Sequence, residues 1–357
     1  RGHPGTSFIA GLLSAALVSP AVRALPGWTA AAAGKSAWLT GLLAVPAFLL
    51  LGWMLSALLR QGGGLAQALQ RSFGTAVGKG VTLLYLLWGL FLLCLEGRLY
   101  AGRVLSAGYR AGSPAAFLLV LLALVLWMAR RKLAAFARAA EICWRVLALA
   151  LGLVLLFSIL DVTPGYVLPV WFSDLPQAGA AALIPVGVLS CGVFAAFLGD
   201  KVERGEDERR RGLRRLLGGC LALTLLQFGV LAQLGPGLCA RLEAPFLEVA
   251  RGVGLEGAFQ RVESIVAALW VLSDFALLGL LTFALRHMAG AVFGESGARW
   301  APWAGTGLAF AGGMLLFPDD FAAEMLAETV APLGNLVLAF VLPALALWAG
   351  WLRGRKK

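Results

Sequence analysis

Residues 181–199 read AALIPVGVLSCGVFAAFLG, and residues 8–26 read FIAGLLSAALVSPAVRALP. The first stretch has no charged residue and the second has only Arg23. Each is close to the length of about 20 residues that a helix needs to cross a bilayer. Both contain Pro, Gly and Ser, which weaken a helix from within. The two stretches therefore predict membrane helices that are interrupted or unwound near their middle.

The composition of the whole chain is that of an integral membrane protein. Of its 357 residues, 60% are hydrophobic and 14% are charged, whereas a soluble domain carries about 25% charged residues. The net charge of +11 comes from residues between long apolar runs, not from a basic patch on a polar fold. We therefore expect a lipid bilayer around the chain and no nucleic acid bound to it.

Ten apolar segments predict an all-α integral membrane protein with ten transmembrane helices in a single polytopic domain covering residues 1–357, since a lone strand cannot satisfy its backbone in lipid. The segments are 7–23, 37–59, 81–107, 114–128, 140–160, 178–199, 213–234, 262–285, 301–317 and 331–352. Because each half has five helices, an odd number, the second half lies upside down in the membrane relative to the first. Residues 7–160 and 178–352 are therefore predicted to form a five-plus-five inverted repeat.

The loops carry an asymmetric charge. Lys and Arg gather in the even-numbered loops and at both ends of the chain, most densely in residues 201–215. Cytoplasmic loops are the basic ones, so both termini are predicted to be cytoplasmic. The first apolar run, residues 8–22, lacks the basic start and the small-residue cleavage site of a signal peptide, so we expect it to remain as a membrane helix.

Two of the loops have a pattern of their own. Residues 64–79 place apolar side chains at helical spacing, which predicts a short amphipathic helix on the inner surface. Residues 244–260 predict a re-entrant or surface helix on the outer side.

Residue counts exclude several kinds of chemistry. The five cysteines form no CxxC pair, and the only histidines are His3 and His287. The chain therefore has almost no residues from which a zinc site or a Ser-His-Asp triad could form in the membrane. We expect a protein that is not an enzyme and has no metal and no cofactor.

The small residues of the first and sixth segments predict a ligand cavity at the bilayer midplane. Where such residues let a helix unwind, exposed backbone groups can bind the charged ends of a ligand. The predicted lining from these segments is Ser14, Ala15, Gly187, Ser190, Cys191 and Gly192. The alternative is that they only allow close helix packing.

Four ionisable residues within apolar segments need a reason, because a charge at the bilayer centre costs about 3 kcal/mol on insertion scales. Asp274 lies near the middle of the eighth segment and is predicted to bind a ligand amine or a proton, or to form a structural pair. Glu96, Arg98 and Glu263 lie nearer the outer third, where a structural role is favoured. Glu96 and Arg98 are two residues apart and point to different sides of their helix.

Several short motifs resemble those of the spore germination permease family (GerAB type), within the amino acid–polyamine–organocation superfamily. Each motif is weak alone, but their order and spacing along nearly the whole chain match that family. The motifs are Leu17–Leu25, Ala37–Thr40, Glu96–Arg98, Arg261–Ser264 with Trp270, and Pro318–Asp320.

This resemblance implies a leucine-transporter-like fold and a role as the B subunit of a spore germinant receptor. Such a subunit binds a small germinant, often an amino acid, and works with an A-type membrane subunit and a C-type lipoprotein in the spore inner membrane. The implied pocket lies between helices one, three, six and eight. By position it would include Trp88, Leu92, Asp274 and Leu277.

The resemblance also implies structural or signalling roles for the charged residues of its motifs. These residues are Glu96, Arg98, Arg261, Glu263, Asp319 and Asp320. The alternative function is a secondary transporter for amino acids or related organic cations, because a receptor subunit and a permease of this superfamily share one fold.

The topology is directly testable. A reporter fused after Arg209 should read as cytoplasmic, and one fused near Asp320 should read as external, because the first site lies within the most basic loop. The opposite pattern would contradict both the orientation and the inverted repeat.

Overall fold

The computed structural model describes residues 6–106, 112–158, 162–201, 206–252, 262–317 and 319–354. In these ranges the regular secondary structure is helical, with no strand. The prediction of an all-α protein is confirmed. Large apolar side chains such as Val120 and Leu149 lie on the outside of the molecule, as expected for a surface that faces lipid.

The α-helices in the described part of the first half run from α1 to α7. They are α1 (Thr6–Ala33), α2 (Thr40–Leu43), α3 (Val45–Leu58), α4 (Leu65–Phe73), α5 (Thr75–Ser106), α6 (Pro114–Ala129) and α7 (Leu133–Ser158). A 3-10 segment, Gly34–Leu39, joins α1 to α2.

The second half has shorter pieces at its start. Its helices are α8 (Leu175–Ala181), α9 (Leu183–Leu189), α10 (Glu206–Leu234), α11 (Pro236–Cys239), α12 (Pro245–Gly252), α13 (Val262–Leu315), α14 (Asp320–Leu336) and α15 (Leu342–Gly354). A 3-10 helix, Ser190–Lys201, continues from α9, and a short π-helix, Val337–Val341, joins α14 to α15.

Seven helical runs in the described ranges are long and apolar enough to cross a membrane. Two of them, Ala10–Gln61 with 52 residues and Ala268–Leu315 with 48 residues, are each long enough for two crossings of about 20 residues. Pro114–Ala129 is a shorter apolar helix. A multi-pass membrane protein is therefore supported, and the number of ten crossings and the inverted repeat stay predictions.

Helix α13 folds back on itself at Gly294. This residue has φ 78° and ψ −165°, which is not helical and which favours glycine. A Cβ on Gly290 would lie 3.2 Å from the Cβ of Ala298, whereas residues this far apart in a straight helix are separated by about 12 Å along the axis. The two arms of α13 are therefore antiparallel, and the break falls between the predicted segments 262–285 and 301–317.

The first and sixth predicted segments differ in how they depart from regular helix. The sixth leaves α-helical geometry at Ser190 and continues as a 3-10 helix of 12 residues, which is unusually long for that geometry. Helix α1 instead runs as one α-helix from Thr6 to Ala33, with Pro20 and Pro26 inside it. The first segment is therefore not divided by the non-helical stretch that the sequence had led us to expect.

The centre of the molecule is formed by α5 and α13, which share the largest contact, with α1 packed against α13. The short helix predicted in residues 64–79 is present as α4. Its apolar residues Leu65 and Leu69 are fully buried against neighbouring helices, not spread on a bilayer surface. The predicted outer helix begins as α12 at Pro245, and the remainder of that segment, 253–260, lies outside the described residues.

The approach of α7 to α13 depends on Gly279. The fully buried Phe136 ring stacks on Phe283 at 5.2 Å, and a Cβ on Gly279 would overlap that ring. Gly279→Ala should lower the free energy of unfolding by about 1–3 kcal/mol, because overpacking forces the ring out of its site. Thermal unfolding of the purified protein measures this.

The matched control is Gly307→Ala in the second arm of α13, where a Cβ would meet no atom within 4 Å. This variant should be at least as stable as the parent chain, because Ala favours a helix more than Gly does. Equal stability of the two variants would contradict the close packing at Gly279.

Candidate functional site

A small cavity lies where α1, α5, α9, α13 and α14 meet. Its volume is about 20 Å³, which is room for one or two water molecules. The polar part of its wall comes from Arg23, Trp28, Glu96 and Asn335. The apolar part is formed by Leu92, Val188, Cys191, Leu277, Leu281, Ala327, Ala331 and Pro332.

Arg23 and Glu96 bring opposite charges to this cavity. Arg23 is 5% exposed, and its Nε has no hydrogen-bond partner among the described residues. The same is true of the buried Oε2 of Glu96. The guanidinium carbon of Arg23 lies 6.0 Å from the ring centre of Trp28. A buried polar atom without a partner costs about 1–3 kcal/mol and more when charged, so these two atoms are candidates for contact with a ligand or a water molecule.

Asn335 organises the side of the cavity formed by α14. Its Oδ1 accepts a hydrogen bond from Trp88 Nε1 at 3.0 Å. Its Nδ2 donates to the carbonyl oxygen of Gly187 at 3.1 Å. That carbonyl lies near the end of α9, where the chain changes to 3-10 geometry. Asn335 therefore connects α5, α14 and the point at which the sixth segment departs from an α-helix.

A second polar cluster lies between α1 and α13. Arg103 Nη2 is 2.6 Å from Asp274 Oδ1, and Nη1 donates to Ser19 Oγ at 2.7 Å. The Ser19 hydroxyl donates to Asp274 Oδ1 at 2.6 Å. Asp274 is 3% exposed, so the side chain predicted to need a partner has one in Arg103.

The same cluster also forms hydrogen bonds with the backbone of α1. The Ser19 N–H donates to the Oγ of Ser273 at 2.7 Å, and the Ser273 hydroxyl donates to the carbonyl oxygen of Ala15 at 2.6 Å. A hydroxyl thus stands between two groups that are bonded directly in a regular helix. The next residue, Pro20, has no N–H to donate. Helix α1 is therefore locally open at Ser19 while it stays helical in outline.

A second ion pair lies near the same end of α5, five residues before Arg103. Arg98 Nη1 is 2.6 Å from Asp320 Oδ1, and Arg98 Nε donates to the carbonyl oxygen of Phe317 at 3.3 Å. Asp319 accepts the N–H of Ala322 at 2.7 Å and so caps α14. Glu96 does not share this pair, since it faces the cavity. These contacts hold α14 against α5.

The structure brings some of the predicted ligand-binding residues together and separates others. Leu92, Cys191 and Leu277 line the cavity, and Trp88 and Gly187 contact its wall through Asn335. The remaining ones are not among its lining residues. Asp274 and Ala15 belong to the Arg103 cluster.

The small residues of the first and sixth segments have packing contacts. A Cβ on Gly192 would lie 3.1 Å from Leu13 of α1, and the Ser190 hydroxyl donates to the carbonyl oxygen of Val186. Ser14 is half-buried in α1. Their place in a ligand site stays a prediction.

Some of the residues that belong to the family motifs lie outside the described part of the chain. Arg261 and Pro318 lie outside the described residues, and for Glu263 only the position in α13 is described. Arg23, Arg103 and Asn335 are the site residues that sequence reasoning missed. Arg23 and Arg103 each lie inside a long helix in an otherwise apolar context, and this signal could have identified them.

The family model described as "Spore germination protein" matches residues 6–304 of the chain. This range includes α1, α5, α9 and the first arm of α13, and thus most of the cavity wall. No curated protein matches the chain.

Proposed function

The chain belongs to the family of spore germination proteins, and we propose that it is the ligand-sensing B subunit of a spore germinant receptor. In this proposal it lies in the spore inner membrane with both termini in the cytoplasm. It binds a small germinant between α1, α5, α9, α13 and α14. It passes the change to an A-type membrane subunit and a C-type lipoprotein.

The observation that supports this most directly is the pair of opposite charges in the cavity. Arg23 offers a guanidinium, which matches a carboxylate geometrically, and Glu96 offers a carboxylate, which accepts from an ammonium group. Both carry a buried polar atom with no partner among the described residues. An α-amino acid supplies both missing partners at once. Its side chain would lie against Leu92 and Leu277, so an aliphatic one fits best.

The small size of the cavity couples ligand binding to movement, which a sensor needs. At about 20 Å³ it has room for one or two water molecules, which is much less than an amino acid needs. Binding therefore requires α1 or the 3-10 segment after α9 to move. A ligand that binds one arrangement better than another shifts the population toward it. That shift is the signal a partner subunit would detect.

The outer side offers the surface for the lipoprotein. Helix α12 and the start of α14 near Asp320 are sizeable features at that end in the proposed topology. Recovery of A-type and C-type subunits with a tagged chain from spores supports this part of the proposal. Recovery of homo-oligomers alone would favour the transporter.

The second candidate function is a secondary transporter for amino acids or related organic cations. The irregular helix geometry at Ser19 and from Ser190 onward favours it, since transporters often build their sites from interrupted helices. Uptake of labelled valine by proteoliposomes separates the two functions, because a sensor binds its ligand without net flux.

The zwitterion site is tested by pairing each charge with a truncated ligand. Arg23→Met should weaken valine binding about tenfold or more but leave isobutylamine, which lacks the carboxylate, unaffected. Glu96→Gln should weaken valine binding to a similar degree but leave isovalerate, which lacks the amine, unaffected. One hydrogen bond to a charged group is worth about 1.5–3 kcal/mol. Calorimetry on the purified protein measures the Kd values.

Glu328→Gln is the matched control, because Glu328 is exposed on α14. It should leave all three Kd values unchanged. The proposal is contradicted if Arg23→Met and Glu96→Gln behave like this control, or if the parent chain binds no aliphatic amino acid.

The apolar wall predicts a change of specificity. Leu92→Ala enlarges the cavity and should shift preference from valine toward longer side chains, by about 1–3 kcal/mol for each methylene-sized change. Competition binding among valine, leucine and methionine measures the preference. Leu84→Ala on the same helix is the control, since Leu84 is exposed and should leave the preference as it is. An unaltered order in Leu92→Ala would remove Leu92 from the site.

A further inference from the structure

The cluster between α1 and α13 brings several oxygen atoms close together. The Oγ of Ser19 and the Oδ1 of Asp274 both lie within hydrogen-bond distance of Arg103. The Oγ of Ser273 adjoins them through the Ser19 N–H and the carbonyl oxygen of Ala15. Carboxylate, hydroxyl and carbonyl oxygens are the ligands that small hard cations prefer.

The positive charge beside these oxygen atoms is the guanidinium of Arg103. Arg103 lies on α5, a third helix, and its side chain is 11% exposed where it meets the carboxylate. Asp274 is 4% exposed in its side chain, and a buried carboxylate of this kind is strongly unfavourable without a positive charge beside it. The guanidinium supplies that charge and two of the donors that the oxygens need.

We propose that Arg103 occupies, as a tethered cation, an oxygen-lined cation site between α1 and α13, so that the protein needs no inorganic coupling ion. The link to ligand binding rests on the proposed function, whereas the cation site itself does not. A tethered group has a high effective concentration at its site. The junction of α1 and α13 is therefore held whatever salt surrounds the protein.

The contacts of Arg103 suggest that a small cation could take the place of its guanidinium if the side chain were removed. Only its two terminal nitrogens bond within the cluster, and its Nε has no partner among the described residues. Removal of the side chain should therefore expose the oxygen atoms as a site for a small ion. It should not collapse the helices around it, because Ser273 still joins α1 to α13.

The experiment measures thermal unfolding of the purified chain in nanodiscs, with no amino acid present. Choline chloride is the reference salt, and sodium chloride, lithium chloride or millimolar guanidinium chloride replaces it at constant ionic strength. The parent chain should have one Tm in all salts. Arg103→Ala should have a lower Tm in choline chloride, which sodium or guanidinium raises along a saturable curve.

The double variant R103A/D274N is the matched control, since it lacks both charges of the pair. It should show no cation-specific rise in Tm. Arg103→Lys keeps a tethered cation and should be as insensitive to the salt as the parent chain. If Arg103→Ala is obtained only when it is purified in sodium chloride and not in choline chloride, while R103A/D274N is obtained in both, the same conclusion follows.

Three results would overturn the proposal. The first is a cation-specific Tm in the parent chain, which would mean that an ion site is already in use. The second is a destabilised Arg103→Ala that no cation restores. The third is an equal cation response in R103A/D274N. Because no amino acid enters the experiment, failure of the zwitterion site would leave these outcomes unchanged, and the converse holds as well.

Discussion

The ion pair between Arg103 and Asp274 is the interaction on which the central helices depend. It joins α5 to α13, and through Ser19 it also holds α1. In a low-dielectric interior a charge must be paired, and this requirement fixes how three helices that are far apart in sequence meet. Because Ser273 carries one backbone hydrogen bond of α1, the same junction opens that helix locally.

Arg23 and Glu96, only a short distance away, are each other's main charged neighbour. They lie in the same buried region, yet each keeps a polar atom without a partner among the described residues. The Arg103–Asp274 cluster thus has a structural role, whereas the Arg23–Glu96 cluster is the proposed ligand site. In the proposed function, a ligand with both charges would complete the second cluster, and helices would have to move because the cavity is only about 20 Å³. This coupling of binding to movement is what a sensor requires.

Sequence reasoning reached the helical class, the family and part of the cavity wall, because these depend on local patterns. Helix α6 begins at Pro114, where the fourth apolar segment was expected to begin. Asp274 was singled out by its charge, but its partner Arg103 is 171 residues away and no periodicity could pair the two. Asn335 and Gly187 are 148 residues apart, and their contact exists only after α14 has packed against α9. The unbroken outline of α1 was also missed, because Ser273 satisfies the backbone groups that were expected to be exposed.

The central claim is that Arg23 and Glu96 bind the two ends of one zwitterion. The most direct measurement is an experimental structure of the protein in a bilayer mimic with saturating valine. The carboxylate of the ligand should lie within hydrogen-bond distance of Arg23 and its ammonium group within hydrogen-bond distance of Glu96, with the 3-10 segment Ser190–Lys201 or α1 displaced to make room. Valine bound at Asp274, or at a surface away from both Arg23 and Glu96, would contradict the account.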